Sequence, residues 1–368
     1  MRIVFVAAPL QGHLLPLIPL AAACHEAGHE VILASGNFVG KHSPPEVRGL
    51  RTADIGASFS LPRAALRAAL RHPGTARAEM RGVAGHGFVG ELFGRANLAL
   101  VDPLMALAER ERPDLIVFEP LSEAGAIVAG RLAVPSVLQE NTLWSAAELF
   151  HAVTTSSSLR DVDIPAPELT IGVIPPSLRP MDAGAVPMRP VPYSGGGTVP
   201  DWLLAPSDRP RVLVSRSTLK GPNDGDPGPA IIAAAEQVDA EFVLVRPATT
   251  RGLPPNVRAV DRVPLNELLP HAAAFIHHSG AGSVLGGLAA GVPQLATPGA
   301  GDRKHNAEML ARRGAGLAVA AKSITPADLR RLLTDSSLRA AAQEVAAEIA
   351  AMPAPDSLVP ALEKLVSS

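Results

Sequence analysis

The order of elements in residues 2–35 constrains the fold more than any other feature of the chain. RIVFVAA (2–8) is a short β-rich run that ends in a Pro-Leu-Gln-Gly-His turn. LLPLIPLAAACHEAGH reads as a helix, and HEVILAS (29–35) is a second β-rich run. Strand, turn, helix, strand is the opening of a parallel α/β sheet. The theme returns at PDLIVFE (113–119), a helix near 123–132 and VPSVLQE (134–140). Residues 60–110 read as mainly helical, and 154–192 lose periodicity and gain Pro. VPYSGGGTVPDWLLAPSDRP (191–210) carries three consecutive glycines, which predicts a linker, because such a segment continues neither a helix nor a central strand. A second α/β series follows: RVLVS, PAIIAAAEQV, AEFVLVRP, NVRAVD, AAFIHH, GSVLGGLAAG, VPQLATP and AGLAVA. The expected organisation is a first domain over 1–190, a linker over 191–210, a second domain over 211–352 and a closing helix over 353–368. Both domains read as doubly wound parallel sheets.

A length of 368 residues fits two domains of ordinary size. With 33 basic and 35 acidic residues, the formal net charge of −2 gives no electrostatic reason to expect nucleic acid. Aromatic residues are only 3%, which also argues against stacked single-strand recognition. The single cysteine, Cys24, excludes an intrachain disulfide framework and a multi-cysteine metal site, and it reads as a small core residue. The first 24 residues loosely resemble a lipoprotein signal. Gln11, Gly12 and His13 interrupt that pattern, however, and Ala21 stands where such a signal usually has Leu. Nothing else approaches the roughly 18 uninterrupted apolar residues of a membrane span, so a cytoplasmic protein without integral membrane contact is expected.

In open parallel sheets, ligands collect outside the carboxyl ends of the strands. Two such domains would set two rims across one cleft, which suits a reaction between two substrates. At one rim a strand ends in His277-His278, followed by Ser279-Gly280-Ala281-Gly282-Ser283 and a helix. Unpaired N–H groups at that helix start, together with the helix dipole, favour an anion, typically phosphate. Gly280 and Gly282 let the ligand approach the backbone, and a positively polarised imidazole adds a donor. A Gly-rich turn chosen only for packing is the alternative. A dinucleotide fingerprint fails because Leu285 occupies the third glycine position, and no Walker lysine follows. On the first domain, His13 ends the turn after the first strand, and Glu119 closes PDLIVFE at the same kind of rim. His is the side chain best placed near neutral pH to accept a hydroxyl proton. The alternatives are a structural histidine bonded to a carbonyl and a glutamate that only caps the next helix. Two DxD triplets, at 161–163 and 224–226, lie in Pro- or Gly-bearing loops and read as chance. Trp144 suits an apolar acceptor pocket or an ordinary core equally.

HHSGAGSVLGGLAAGVPQLATP followed by DRKHNA resembles the donor signature of family 1 natural-product glycosyltransferases of the GT-B fold. GHLLPLIPLAAACHEAGHEV and VPYSGGG are similar to the same family, so the resemblance spans almost the whole chain. It implies two Rossmann-like domains facing a cleft. It also implies inverting transfer of a deoxysugar from a nucleoside diphosphate donor, as dTDP-sugar, to a hydrophobic aglycone. His13 would be the general base and Glu119 its orienting acid. His278 would contact the diphosphate above the Gly280–Ser283 turn, with Ser279, Gly282 and Thr218 as further donor contacts. Asp302 would reach sugar hydroxyls, with Asn306 following at the family's spacing. Asn141 and Trp144 would face the acceptor. No cofactor and no metal are implied beyond the co-substrate; the partners are a nucleotide sugar and a small-molecule aglycone, and a homodimer is compatible. Three positions depart from the family pattern. Arg303 replaces a Gln, Arg262 stands where a Trp is usual, and Ser217 replaces a Gly. These departures keep open a catalytically weak relative that supports a partner enzyme; a nucleotide-sugar epimerase on a similar two-domain fold is a further alternative.

Overall fold

A computed structural model describes residues 1–36, 50–56, 60–81, 84–195, 197–217 and 226–367. The chain forms two compact units. One comprises 1–174, 181–189 and 352–368, and the other 175–180 and 190–351.

The first unit holds seven parallel strands: β1 (Arg2–Val6), β2 (Glu30–Ser35), β3 (Arg51–Asp54), β4 (Leu115–Phe118), β5 (Ser136–Gln139), β6 (Leu169–Gly172) and β7 (Val186–Pro187). Their order across the sheet is β3-β2-β1-β4-β5-β6-β7. Central parallel strands are covered on both faces, so they read as continuous apolar runs rather than alternating ones. Ile3 to Val6 and Leu115 to Phe118 are fully buried, as that rule requires. Val4, Val6, Ile116 and Phe118 share a core with Leu100 and Leu104 of the long helix Gly87–Glu111. The strands β6 and β7 fall in the stretch read as aperiodic; at four and two residues they are too short to display a period. The C-terminal helix Val359–Ser367 belongs to this unit, where Glu363 pairs with His29 at 3.1 Å. Cys24 is buried, and burial together with the Glu363 charge pushes its thiol up to about 12.

The second unit holds six parallel strands: β8 (Arg211–Ser215), β9 (Glu241–Val245), β10 (Val257–Val260), β11 (Ala274–His277), β12 (Gln294–Ala296) and β13 (Gly316–Ala318). Their order is β10-β9-β8-β11-β12-β13. Within the Pro- and Gly-rich segment, Asp201–Leu204 forms a short helix of this unit. Its Trp202 lies under the Arg258 guanidinium at 3.4 Å, and its Trp202 and Leu203 carbonyls accept from the buried Arg211. Among the described residues, no helix is long and apolar enough to cross a membrane.

Both sheets reverse their winding once. The switch lies between β1 and β4 in the first unit and between β8 and β11 in the second. At such a point the loops leaving two adjacent strands diverge to opposite faces and leave a crevice at the carboxyl edge.

Candidate active site

In the first unit, Val6 pairs with Phe118, and the Glu119 N–H donates to the Val6 carbonyl at 3.3 Å. The segments leaving β1 and β4 are therefore neighbours at the switch point. The short helix Gln11–Leu14, which follows β1, carries His13. His13 Nδ1 lies 3.1 Å from Glu119 Oε2. A carboxylate accepts from an imidazole N–H, so Nδ1 carries the proton and Nε2 is the basic nitrogen. Glu119 has no exposed surface. Its Oε1 accepts from the Ala8 N–H and the Ser122 hydroxyl, both at 2.9 Å; its Oε2 also accepts from the Leu121 N–H at 3.0 Å. Burial alone would raise this carboxyl, but His13 and the Ala8 and Ser122 donors hold it below the usual carboxylate range. The capping alternative does not describe Glu119, because the N-cap of the next helix, Ala124–Leu132, is Glu123.

Asn141, read as an acceptor contact, gives its amide to Glu119 Oε2 at 3.1 Å and to the His13 carbonyl at 3.3 Å. It thus braces the His–Glu pair, while its buried Oδ1 has no partner among the described residues. Trp144 is half-buried and packs edge-on to His86, with ring centroids 4.8 Å apart. Sequence reasoning missed Glu123 and Asn97. Both are fully buried, and Asn97 Nδ2 donates to Glu123 Oε2 at 2.8 Å and to the Leu121 carbonyl at 3.0 Å. This anchors the loop that carries Glu119 to the helix Gly87–Glu111. Burial holds the Glu123 carboxyl well above its usual range. A polar Asn within the apolar face of a helix was the available signal.

In the second unit, β11 ends at His277 and the chain turns through Ser279 at φ 63°, a left-handed conformation unusual for Ser. Three polar contacts hold it there. The Ser279 N–H donates to His277 Nδ1 at 3.0 Å, and its hydroxyl donates to the Thr297 carbonyl at 2.9 Å. Its carbonyl accepts from Asn306 Nδ2 at 2.9 Å. Because His277 Nδ1 accepts, its Nε2–H donates to Gln294 Oε1 at 2.8 Å, and the Gln294 amide donates on to the Val284 carbonyl at 3.2 Å. Gln294 is a third missed residue; a polar side chain inside the apolar run VPQLATP was its signature. The turn delivers the helix Ala281–Ala289 with Gly280 as N-cap. Ser283 N–H bonds back to the Gly280 carbonyl, whereas the Ala281 and Gly282 amides have no acceptor among the described residues. Two amides without an acceptor at the positive end of a nine-residue helix are an arrangement that favours negative charge.

His278 is half-buried beside this turn. A Cβ at Gly280 would lie 2.7 Å from His278 Nε2, so glycine there admits the ring. The imidazole expected here as a polarised donor is held in its neutral form. Burial, reinforced by Arg303, His277 and Arg246, lowers its pKa to about 3, so the ring is neutral and donates through one nitrogen. Asp302 is the N-cap of the helix Arg303–Arg312, and its Oδ2 accepts from Asn306 Nδ2 at 2.7 Å. Arg303 donates to the Ser217 hydroxyl at 2.9 Å. The two departures at 217 and 303 are thereby coupled, because a glycine at 217 would offer Arg303 no hydroxyl. Arg262 is exposed just past β10. Thr218 and Asp224 lie outside the described residues. Asp226 of the second DxD triplet pairs with Arg216 at 3.7 Å, and the two aspartates of the first are exposed. Among the described residues, no group of three or more His, Cys, Asp or Glu side chains could hold a metal ion.

Comparison with known proteins agrees with this architecture. Residues 22–217 match the erythromycin biosynthesis protein CIII-like N-terminal domain, and residues 229–365 match the C-terminal domain of the same family. The chain is 34% identical to the elloramycin glycosyltransferase ElmGT of Streptomyces olivaceus, over 96% of this chain and 95% of the relative. It is 30% identical to the 10-deoxymethynolide desosaminyltransferase of Streptomyces venezuelae, over 100% and 97% of the two chains. Among solved structures, the glycosyltransferase SsfS6 of Streptomyces sp. SF2575, complexed with thymidine diphosphate, superposes with a TM-score of 0.83 at 30% identity, covering 99% of each chain. The chain belongs to the erythromycin biosynthesis protein CIII-like family and is a natural-product glycosyltransferase of the GT-B fold.

Proposed function

We propose that the protein is an inverting transferase that moves a deoxysugar from a dTDP-sugar to a hydroxyl of a hydrophobic, polyketide-type aglycone. The His13–Glu119 hydrogen bond of 3.1 Å carries this reading, because it leaves His13 Nε2 with the lone pair a general base needs. In the proposed reaction Nε2 takes the acceptor hydroxyl proton as the oxygen attacks the anomeric carbon. The new C–O bond forms as the bond to the diphosphate breaks from the opposite face, and the leaving group departs with the electron pair. The anomeric configuration inverts, and the transition state carries oxocarbenium character. Glu119 keeps Nδ1 protonated and stabilises the imidazolium that forms. The diphosphate charge is met by the Ala281 and Gly282 amides and by His278, so the reaction needs no metal. Asp302 and Arg303 are the sugar-facing residues of this reading. The thymidine diphosphate complex of the SsfS6 relative supports the choice of nucleotide.

The test is to incubate the protein with a dTDP-deoxysugar, with and without a polyketide aglycone and with EDTA throughout. Acceptor-dependent release of TDP and a glycoside of inverted configuration are expected. No TDP release would favour the auxiliary reading. A changed sugar without acceptor would favour an epimerase. Activity lost to chelator and restored by manganese would replace the metal-free scheme.

A further inference from the structure

Arg246 is a partly buried arginine of the second unit that the reaction scheme above leaves unused. Four residues sit where adjacent strands end: Arg262 after β10, Arg246 after β9, Arg216 after β8 and His278 after β11. The register places them side by side. Ser215 pairs with Val245, Val245 pairs with Val260, and Ile276 pairs with Val214. The Arg246 guanidinium donates to the Arg216 carbonyl at 3.3 Å, and its backbone N–H donates to the Val260 carbonyl at 2.8 Å. Arg216 pairs with Asp226, but among the described residues neither Arg246 nor Arg262 has a carboxylate partner. Burial and the charges of Arg262 and Arg216 lower the Arg246 pKa, the signature of a cation kept among cations. Its backbone is also unusual, at φ 52°. Of the four non-glycine residues with positive φ among the described residues, Arg112 and Ala133 end helices, where that conformation is ordinary. Arg246 and Ser279 alone stand at strand carboxyl ends, and Ser279 shapes the anion turn. Strain retained at a rim is a mark of function.

We propose that Arg246 is a donor-binding residue whose guanidinium, set between Arg216 and Arg262, contacts the diphosphate held at the Gly280–Ser283 turn. This rests on the donor reading above. Charge neutralisation by arginine supplies what a metal provides in other transferases, and a planar fork suits two phosphoryl oxygens.

The experiment measures TDP, inorganic pyrophosphate and thymidine binding by calorimetry at low and high salt, for the wild type, Arg246→Gln and Arg246→Gly. Loss of a charge-assisted contact is expected to weaken TDP by about 10–100-fold and to flatten its salt dependence, with thymidine affinity unchanged. Arg246→Gly relieves the left-handed strain, so its melting temperature should hold or rise while TDP affinity falls. Unchanged TDP affinity in both variants overturns the inference and leaves the donor reading standing. Pyrophosphate binding that depends on Arg246, with TDP no tighter than pyrophosphate, places Arg246 at a diphosphate but overturns its role as a nucleotide-donor contact. A wild type that binds neither anion overturns both.

Discussion

Acid should weaken the second unit through His277. Burial lowers the pKa of this fully buried ring from 6.5 to about 4, against the opposing effect of its bond to Gln294. In the unfolded chain the imidazole takes up a proton below pH 6.5, whereas the folded ring resists until about pH 4. The unfolded state therefore binds more protons between these values, and stability falls as pH drops through that window. Above pH 6.5 the group has no effect, and below about pH 4 the loss levels off. Between pH 7.5 and 5 the predicted loss is about 2 kcal/mol, approaching about 3 kcal/mol at the acid limit. Urea unfolding of the wild type and of His277→Asn across pH 5–7.5 isolates this contribution from the other histidines. The variant should be less stable throughout, yet its stability should vary with pH by about one proton less. Equal slopes in the two proteins, or an NMR titration of His277 near 6.5, would refute the buried neutral ring and with it the tautomer that fixes Ser279.

Glu119→Gln should lower turnover by about 10²-fold or more, because an amide cannot stabilise an imidazolium. It should leave TDP affinity within about twofold, and steady-state kinetics with a binding isotherm checks both. Gly280→Ala would set a Cβ 2.7 Å from His278 Nε2; displacement of the ring should weaken TDP by about tenfold or more in calorimetry, with little change in melting temperature. Gly287→Ala would set a Cβ 2.4 Å from Gln294 Cδ inside the network that holds the anion turn. A stability loss of about 1–3 kcal/mol is expected by denaturant unfolding.

Most of the fold was legible because its strands are buried on both faces. RIVFV, LIVF and AFIH announce themselves as apolar runs, and Gly-rich or Pro-rich turns separate them from helices. The short strands β6 and β7 were not legible, since two to four residues beside Pro and Gly carry no period. The candidate site divides the same way. His13, Glu119 and the 277–283 turn were found because each lies just past a recognisable strand. Their wiring was not, because a hydrogen bond between residues 106 positions apart, such as His13 to Glu119, leaves no local trace. Gln294 and Asn97 show in the sequence only as polar residues within apolar stretches, and Glu123 looks like a solvated charge until burial is known. Arg246 looks like an ordinary charge after a strand, and only its backbone angle and its neighbours on two other strands distinguish it.

Proton removal by the imidazole that Glu119 holds is tested by His13→Ala. Rates of sugar transfer should be measured at saturating dTDP-deoxysugar and aglycone, with TDP affinity measured on the same preparation. A fall of about 10²–10⁴-fold in turnover with TDP affinity preserved is the predicted result. Turnover within a fewfold of the wild type would contradict it and place proton removal on another group.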